Sequence, residues 1–569
     1  MTAKSGRHAL IEQLRADGVT YMFGNPGTVE QGFLDALSDY PDVEYILTLQ
    51  ETVAVAIADG YARATRKPTV VQLHSGVGLG NGIGMMYQAK RGHAPLVVVA
   101  GESGVRYDAM EAQMWADLVD MAAPVTKWST RVVDPGSLLR VLRRAMKEAA
   151  TPPMGPVFVS LPMDVLDAPN DEEVVPTSFL LTRTVPERTE IDRAAKHLVG
   201  ATRPMIIAGD GVAFSSAEPE LTRLAETWGA EVWGADWSEN NMDPTHPQFK
   251  GMLGHMFGDH SKAITSPADA VVICGTYVFP EVFPELSGVF GPGVPVVHVD
   301  LDAHEIAKNF PVTMGFVADP KPTLAALADA LAGMMDDGQK QAAGQRAQAM
   351  GADKERDLAA QRERDRSFHD GIPLHASLFA EELARQLPPD AIIFDEALTT
   401  SPELTRYLEA TKPGRYYLTR GGSLGVGFPG AIGLKIAHPD KVVVGFSGDG
   451  GSMYTIQSLW TAARYDVDAK FVVCNNHSYE LLKLNIQEYW EEREIPEHGF
   501  PVGFDLAEPD IRFDELARSL GVAAVRVEKP DQIGPAITQA LEHEGPFLID
   551  LVIANQVKGT RTIAGADKA

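Results

Sequence analysis

The stretch that most constrains the fold lies between residues 441 and 478. Two apolar runs of strand length, KVVVGFSGDG (441–450) and AKFVVC (469–474), flank a segment with Ile456, Leu459, Trp460 and Ala463 at i, i+3, i+4 and i+7. That spacing predicts one helix between two strands. Strands so joined pair in parallel with a right-handed crossover. Asp449 and the pair Asn475-Asn476 are then left side by side at strand C-terminal ends, where open α/β sheets place ligands.

The same alternation runs along all 569 residues, a length that implies several domains. The expected fold is α/β, with three doubly wound domains and mainly parallel sheets. The first domain covers 1–170, with strands in YMFGNPG, YILTLQE, TVVQLHSG, APLVVVAGE and GPVFVSLP. A Pro- and charge-rich linker follows at 168–190. The middle domain, 191–335, has strands in PMIIAGDGV, AEVWGA, AVVICG and VPVVHVDLD. A polar, helix-favouring surface connector leads to the third domain, 371–555, with AIIFDEA, YYLTRGG, KVVVGFSG, KFVVCNN and PFLIDLVIA. Residues 556–569 are expected to be a flexible tail.

Charge narrows the partners. Lys+Arg 50 against Asp+Glu 77 gives −27, which argues against nucleic acid held by phosphate neutralisation. Cys274 and Cys474 both lie in apolar strand runs and read as reduced core residues of a cytoplasmic protein. No run reaches transmembrane length, and the N-terminus reads as amphipathic helix, so no membrane partner is expected.

Several residues carry chemistry. Asp449, the Asn476 amide oxygen and a nearby carbonyl are hard oxygen ligands suited to Mg²⁺ beside phosphates. Gly448, Gly450 and Gly451 allow backbone amides to approach those phosphates; an ordinary Gly turn is the alternative. Glu51 sits where strand YILTLQE opens a helix, which also suits a plain dipole partner. In FGNPGTVE, Thr28 projects a hydroxyl and Glu30 a carboxylate from a tight turn, though a helix cap would account for Thr28. His74 closes strand TVVQLH beside what reads as a glycine-rich loop, suited to proton relay. Gly425, Gly427 and Gly430 spell GxGxxG, but Pro429 interrupts it and no acid follows at the dinucleotide interval. Thr399 and its neighbours after AIIFDEA could give hydroxyls to a diphosphate or cap the next helix.

GDG followed by an Asn pair resembles the thiamin diphosphate fingerprint. With FGNPG, LQE continued by ADGYA, LHS with GLGN, and LWTAA-Y, nearly the whole chain is similar to the thiamin diphosphate decarboxylase superfamily, most of all its benzoylformate decarboxylase branch. The resemblance implies pyrimidine-binding, middle and diphosphate-binding domains. It implies Glu51 at N1′ of the aminopyrimidine, with His74 and Thr28 also catalytic. Mg²⁺ would be held by Asp449, Asn476 and the Ser478 carbonyl. Thr399, Gly448, Gly450, Gly451 and Tyr479 would meet the diphosphate, the Gly422 carbonyl the 4′-amine, and Leu424 would wedge the cofactor into its bent shape. Gln113, Leu481, Leu482, Asn485 and His255 would join Thr28 and His74 around the substrate. Family members are dimers of dimers in which Glu51 serves the partner's cofactor, so a homotetramer is expected.

The implied reaction is decarboxylation of a 2-oxo acid to an aldehyde, with carboligase side activity. An acetolactate synthase-like transferase is the alternative, and a non-catalytic cofactor-binding relative a third. Three departures bear on substrate. Thr28 replaces the branch's serine, Asn485 falls near an aromatic pocket position, and GTYVFPEVF, with Val282, lacks the middle-domain histidine.

Overall fold

The computed structural model describes residues 4–235, 237–555 and 557. It contains three six-stranded, mainly parallel sheets flanked by helices, so the chain is α/β with three such layers in chain order. One compact unit holds the first and third sheets, and another holds the middle sheet.

The first sheet contains β1 (Tyr21–Gly24), β2 (Glu44–Leu47), β3 (Thr69–His74), β4 (Leu96–Glu102), β5 (Ser129–Arg131) and β6 (Val157–Pro162). Its order is β2-β1-β3-β4-β6-β5. The chain leaves β1 towards β2 and returns to β3 on the other side, which makes a switch point between β1 and β3. The turn after β1 and the His74 end of β3 both open there. Strands β3, β4 and β6 are buried runs of Val, Leu, Phe and Ala, as sheets covered on both faces require. Helix α1 (Glu51–Thr65) begins four residues after β2, and Gln50 caps it by accepting from the Thr52 and Val53 N–H groups.

One expectation fails here. SGVGLGNGIG is not a loop: Ser75–Arg91 form helix α2 directly after His74. At two of its glycines, packing requires a residue without a side chain. A Cβ on Gly78 would come 2.8 Å from Glu51 Oε1, and one on Gly82 3.1 Å from Leu73.

The middle sheet contains β7 (Pro204–Ala208), β8 (Glu231–Gly234), β9 (Phe249–Met252), β10 (Ala270–Cys274), β11 (Val296–Asp300) and β12 (Met314–Val317), in the order β9-β8-β7-β10-β11-β12. The polar connector is one 30-residue helix, α3 (Asp337–Arg366), opened by a capping box at Asp336 and Gln339, with only Ala343 and Asp365 buried.

In the third sheet, the five strands that belong to the same unit as the first sheet, β13 (Ile392–Glu396), β14 (Val443–Gly448), β15 (Ala469–Asn475), β16 (Ala523–Val527) and β17 (Phe547–Val552), stand in the order β13-β14-β15-β17-β16. Helix α4 (Gly427–Ala437) starts within the GxGxxG string, and Pro429 sits harmlessly in its first turn. The helix expected through Ile456 is interrupted. Asp449–Ser452 form a short α5, turns follow, and α6 covers Ser458–Arg464. The Thr455 hydroxyl explains the break, since it donates to the Gly425 carbonyl at 2.6 Å and holds the chain out of helical path. Helix α7 (Glu480–Glu492) follows β15.

Within this unit α1 crosses α4 backbone to backbone. A Cβ on Gly60 would overlap the Gly430 carbonyl, and one on Gly433 the Ile57 carbonyl. No described helix is long and apolar enough to cross a membrane. The expected tail lies, Val557 apart, outside the described residues.

Candidate active site

Two groups of polar residues stand at the C-terminal edges of the first and third sheets. In the first, His74 is fixed by Glu30, whose Oε2 lies 2.9 Å from His74 Nδ1 and whose Oε1 accepts from the Gly101 N–H at 2.9 Å. Glu30 is buried, and burial pushes its carboxyl above the ordinary value while the His74 bond pulls it down. A carboxylate on Nδ1 selects the tautomer that carries its proton there and turns Nε2 outward. Gly27 shapes the same spot, because a Cβ there would overlap the imidazole. Thr28, on the same turn, is exposed and opens a 3₁₀ turn rather than capping a long helix.

Glu51 is buried at the first position of α1 and accepts from Asn81 Nδ2 at 3.0 Å, while the Asn81 carbonyl accepts from the Thr52 hydroxyl. Asn81 escaped notice as a site residue although the GLGN string contained it; helical i, i+3 spacing from Gly78 was the missing signal.

In the third sheet Asp449 and Asn476 end adjacent strands, with Gly448 paired to Cys474. Asp449 Oδ1 accepts from the Gly450 N–H at 2.7 Å. The Ser478 N–H stands 3.1 Å from both Asp449 Oδ2 and Asn476 Oδ1, so two side-chain oxygens converge on one point. The Ser478 hydroxyl donates to the Phe504 carbonyl. Tyr479 packs its ring on Gly450, where a Cβ would overlap it. Thr399 donates to Glu480 at 3.3 Å rather than standing free.

The loop bearing Gly422 and Leu424 is held by Glu396. This buried carboxylate accepts from the Gly425 N–H, from the Gly427 N–H at 2.7 Å and from the Ser447 hydroxyl at 3.1 Å. Burial nevertheless pushes Glu396 up to about 7.

The residues fit a divalent cation with a diphosphate. Burial pushes Asp449 up to about 6, outweighing its backbone hydrogen bonds from Gly450 and Ser478 and the nearby His477. Beside Gly422 and Gly448 a Cβ would meet nothing within 4 Å, so there is room for a ligand against the backbone. No cluster of three His, Cys, Asp or Glu is available to a metal among the described residues, so a shell around Asp449 would draw on amide, carbonyl, water and ligand oxygens.

Of the pocket residues, Leu481 and Asn485 are half-buried and Leu482 exposed on α7, while Gln113 is exposed in the first-sheet unit. His255 and Val282 are exposed in the middle-sheet unit. No hydrogen bond of Glu51 or His74 reaches Asp449, Asn476 or Ser478 among the described residues.

Sheet edges bearing carboxylates, converging side-chain oxygens and open glycine backbone suit an enzyme that holds a phosphorylated cofactor. Models of the thiamine pyrophosphate enzymes match in chain order: the N-terminal TPP binding domain at residues 4–121, the central domain at 191–327 and the C-terminal TPP binding domain at 399–551. The chain belongs to the thiamine pyrophosphate enzyme family. It is 30% identical over 557 residues to a benzoylformate decarboxylase of Pseudomonas aeruginosa, covering 96% of this chain and 98% of that one. A probable acetolactate synthase large subunit of Methanocaldococcus jannaschii is also 30% identical, covering 96% and 92%. The structure of a thiamine diphosphate-dependent 4-hydroxybenzoylformate decarboxylase of Rhodococcus jostii superposes with a TM-score of 0.83 at 27% identity, covering 97% and 99%.

Proposed function

We propose that the protein is a thiamin diphosphate- and Mg²⁺-dependent lyase that decarboxylates a 2-oxo acid to an aldehyde. The Glu30–His74 pair carries this reading: a buried carboxylate on Nδ1 leaves an oriented Nε2 to deliver a proton to the carbon from which CO₂ has left. Bound thiamin diphosphate supplies the electron sink for that departure. Asp449, Asn476 and the Ser478 carbonyl hold the cation, with the Gly448, Gly450 and Gly451 backbone and Tyr479 beside the diphosphate. The Glu51 carboxylate holds a proton at N1′ of the aminopyrimidine, with Asn81 keeping it in place. The Gly422 carbonyl takes the 4′-amine and Leu424 supports the ring. Thr28 and Asn485 offer polar contacts to the substrate carboxylate or side chain, and Leu481 and Leu482 offer apolar ones.

Burying the Asn485 amide against an unsubstituted aryl ring would leave it unpaired at a cost of about 1–3 kcal/mol. The preferred acid therefore has a polar side chain that pairs with the amide, or an aliphatic one small enough to leave the amide hydrated. Product analysis over a panel of 2-oxo acids, with and without an acceptor aldehyde, tests this. Aldehyde as main product, with benzoylformate among the slow substrates, is the expected result. Benzoylformate turning over fastest would overturn the substrate assignment. A second reading, a transferase that joins the decarboxylated fragment to another carbonyl, is favoured by the equal identity to the acetolactate synthase subunit. It would show as 2-hydroxy ketone formed faster than aldehyde.

A further inference from the structure

Glu480, the first residue of α7, is buried, and its contacts exceed what a carboxylate at a helix start requires. Oε2 accepts from Asn476 Nδ2 at 2.8 Å and from the Thr399 hydroxyl at 3.3 Å. Oε1 accepts from the Val557 N–H at 3.0 Å, just beyond β17. On the far side of the same amide, Asn476 Oδ1 accepts from the Ser478 N–H, which also faces Asp449 Oδ2.

An asparagine amide has one end that can ligate a cation and one that cannot. The oxygen has lone pairs, while the NH₂ presents only hydrogens. Half a turn about the last side-chain bond exchanges them. Both Glu480 oxygens act as acceptors here, so the side chain pairs with the NH₂ end of the amide and is mismatched with the oxygen end.

We propose that Glu480 is a positioning residue that locks the Asn476 amide with its oxygen towards Asp449, and thereby sets the affinity of the site for a divalent cation. The inference rests on the cation reading of Asp449 and Asn476. A glutamine cannot replace it. The Val557 N–H is shared with Asn555 Oδ1 at 3.1 Å, but a glutamine NH₂ turned towards it would still set donor against donor; the other rotamer turns that NH₂ against the NH₂ of Asn476 and favours the flipped amide.

The test is Mn²⁺ binding to apo-protein in the presence of thiamin diphosphate, followed by the electron paramagnetic resonance of free Mn²⁺. Partners that orient metal ligands typically contribute about 10- to 100-fold in affinity, and Glu480→Gln should lose that much. Adding Asn476→Asp to Glu480→Gln should restore most of it, because both oxygens of an aspartate ligate and either can accept from the glutamine NH₂. A role confined to starting the helix would lower the apo-protein's thermal midpoint and leave Mn²⁺ affinity alone. Wild-type Mn²⁺ binding by Glu480→Gln, or no recovery in the double variant, would overturn the proposal. Asp449→Ala, measured in parallel, separates the two layers. If it too binds Mn²⁺ like wild type, the cation reading itself is wrong; if it alone loses binding, only the role of Glu480 is.

Discussion

Gly27 shows how tightly single atoms are placed. Its missing side chain is the space the His74 imidazole occupies, and Glu30 fixes the ring from the other side. Gly27→Ala should therefore displace His74 while the third-sheet residues keep their cofactor. The expected result is a kcat lower by about 10²–10⁴-fold, the usual span for one acid–base group, with unchanged thiamin diphosphate affinity. Steady-state kinetics beside a cofactor titration check both halves. Glu51→Gln belongs at the same scale: it should bind cofactor yet slow proton exchange at the cofactor's C2 by a similar factor, read by NMR. At this scale the sequence was informative wherever a residue stood in a linear string, as Asp449, Asn476 and Glu51 do. Glu480 and Asn81 were not legible. They act on residues four and thirty positions away, respectively, through hydrogen bonds that exist only after folding.

Among elements, the third-sheet loop rests on a titrating group. The folded-state value of Glu396, about 7, lies above its ordinary 4.5. Between those values the folded protein keeps a proton that the unfolded chain has released, so stability falls as pH rises through this window. Glu396→Gln should be less stable overall, because its NH₂ would face either the Gly425 or the Gly427 N–H. Between pH 4.5 and 7, however, its melting temperature should decline less steeply than that of wild type. Thermal melts of both apo-proteins across this range decide it. Elements also show where sequence reading stops. The strands missed, β5, β9, β12 and β16, all stand at sheet edges. With fewer covered faces they need no continuous apolar run, as FKGM and AAVRV show by their half-buried patterns. Helix α2 was hidden for the opposite reason. It is rich in glycine, a poor helix former, and two of those glycines, Gly78 and Gly82, are demanded by the close packing of Glu51 and Leu73.

For the whole molecule, the first- and third-sheet unit leaves Leu49, Val77, Tyr87, Trp115, Met453 and Tyr454 more than 40% exposed, an apolar load that a paired subunit would cover. We propose that such a subunit also completes the site, bringing Glu51 of one chain to the cofactor held by Asp449 of another. Glu51→Gln and Asp449→Ala, each inactive alone, should then complement when denatured and refolded together. Random pairing into two-fold dimers gives about a quarter of wild-type activity. No recovery, with mixed dimers shown by native mass spectrometry, would place each complete site within one chain.

The glycine crossing of α1 and α4 also has a consequence for how the chain is made. Gly60 and Gly430 are 430 − 60 = 370 positions apart, yet their backbones touch. The core of α1, Val53 to Ala58, is fully buried. On the ribosome the face of that helix awaiting α4 stays bare until the later segment emerges, roughly 20–70 s at ordinary rates of translation. For that interval the nascent protein carries a naked apolar helix beside a nearly finished sheet, and it is then that a chaperone has something to hold.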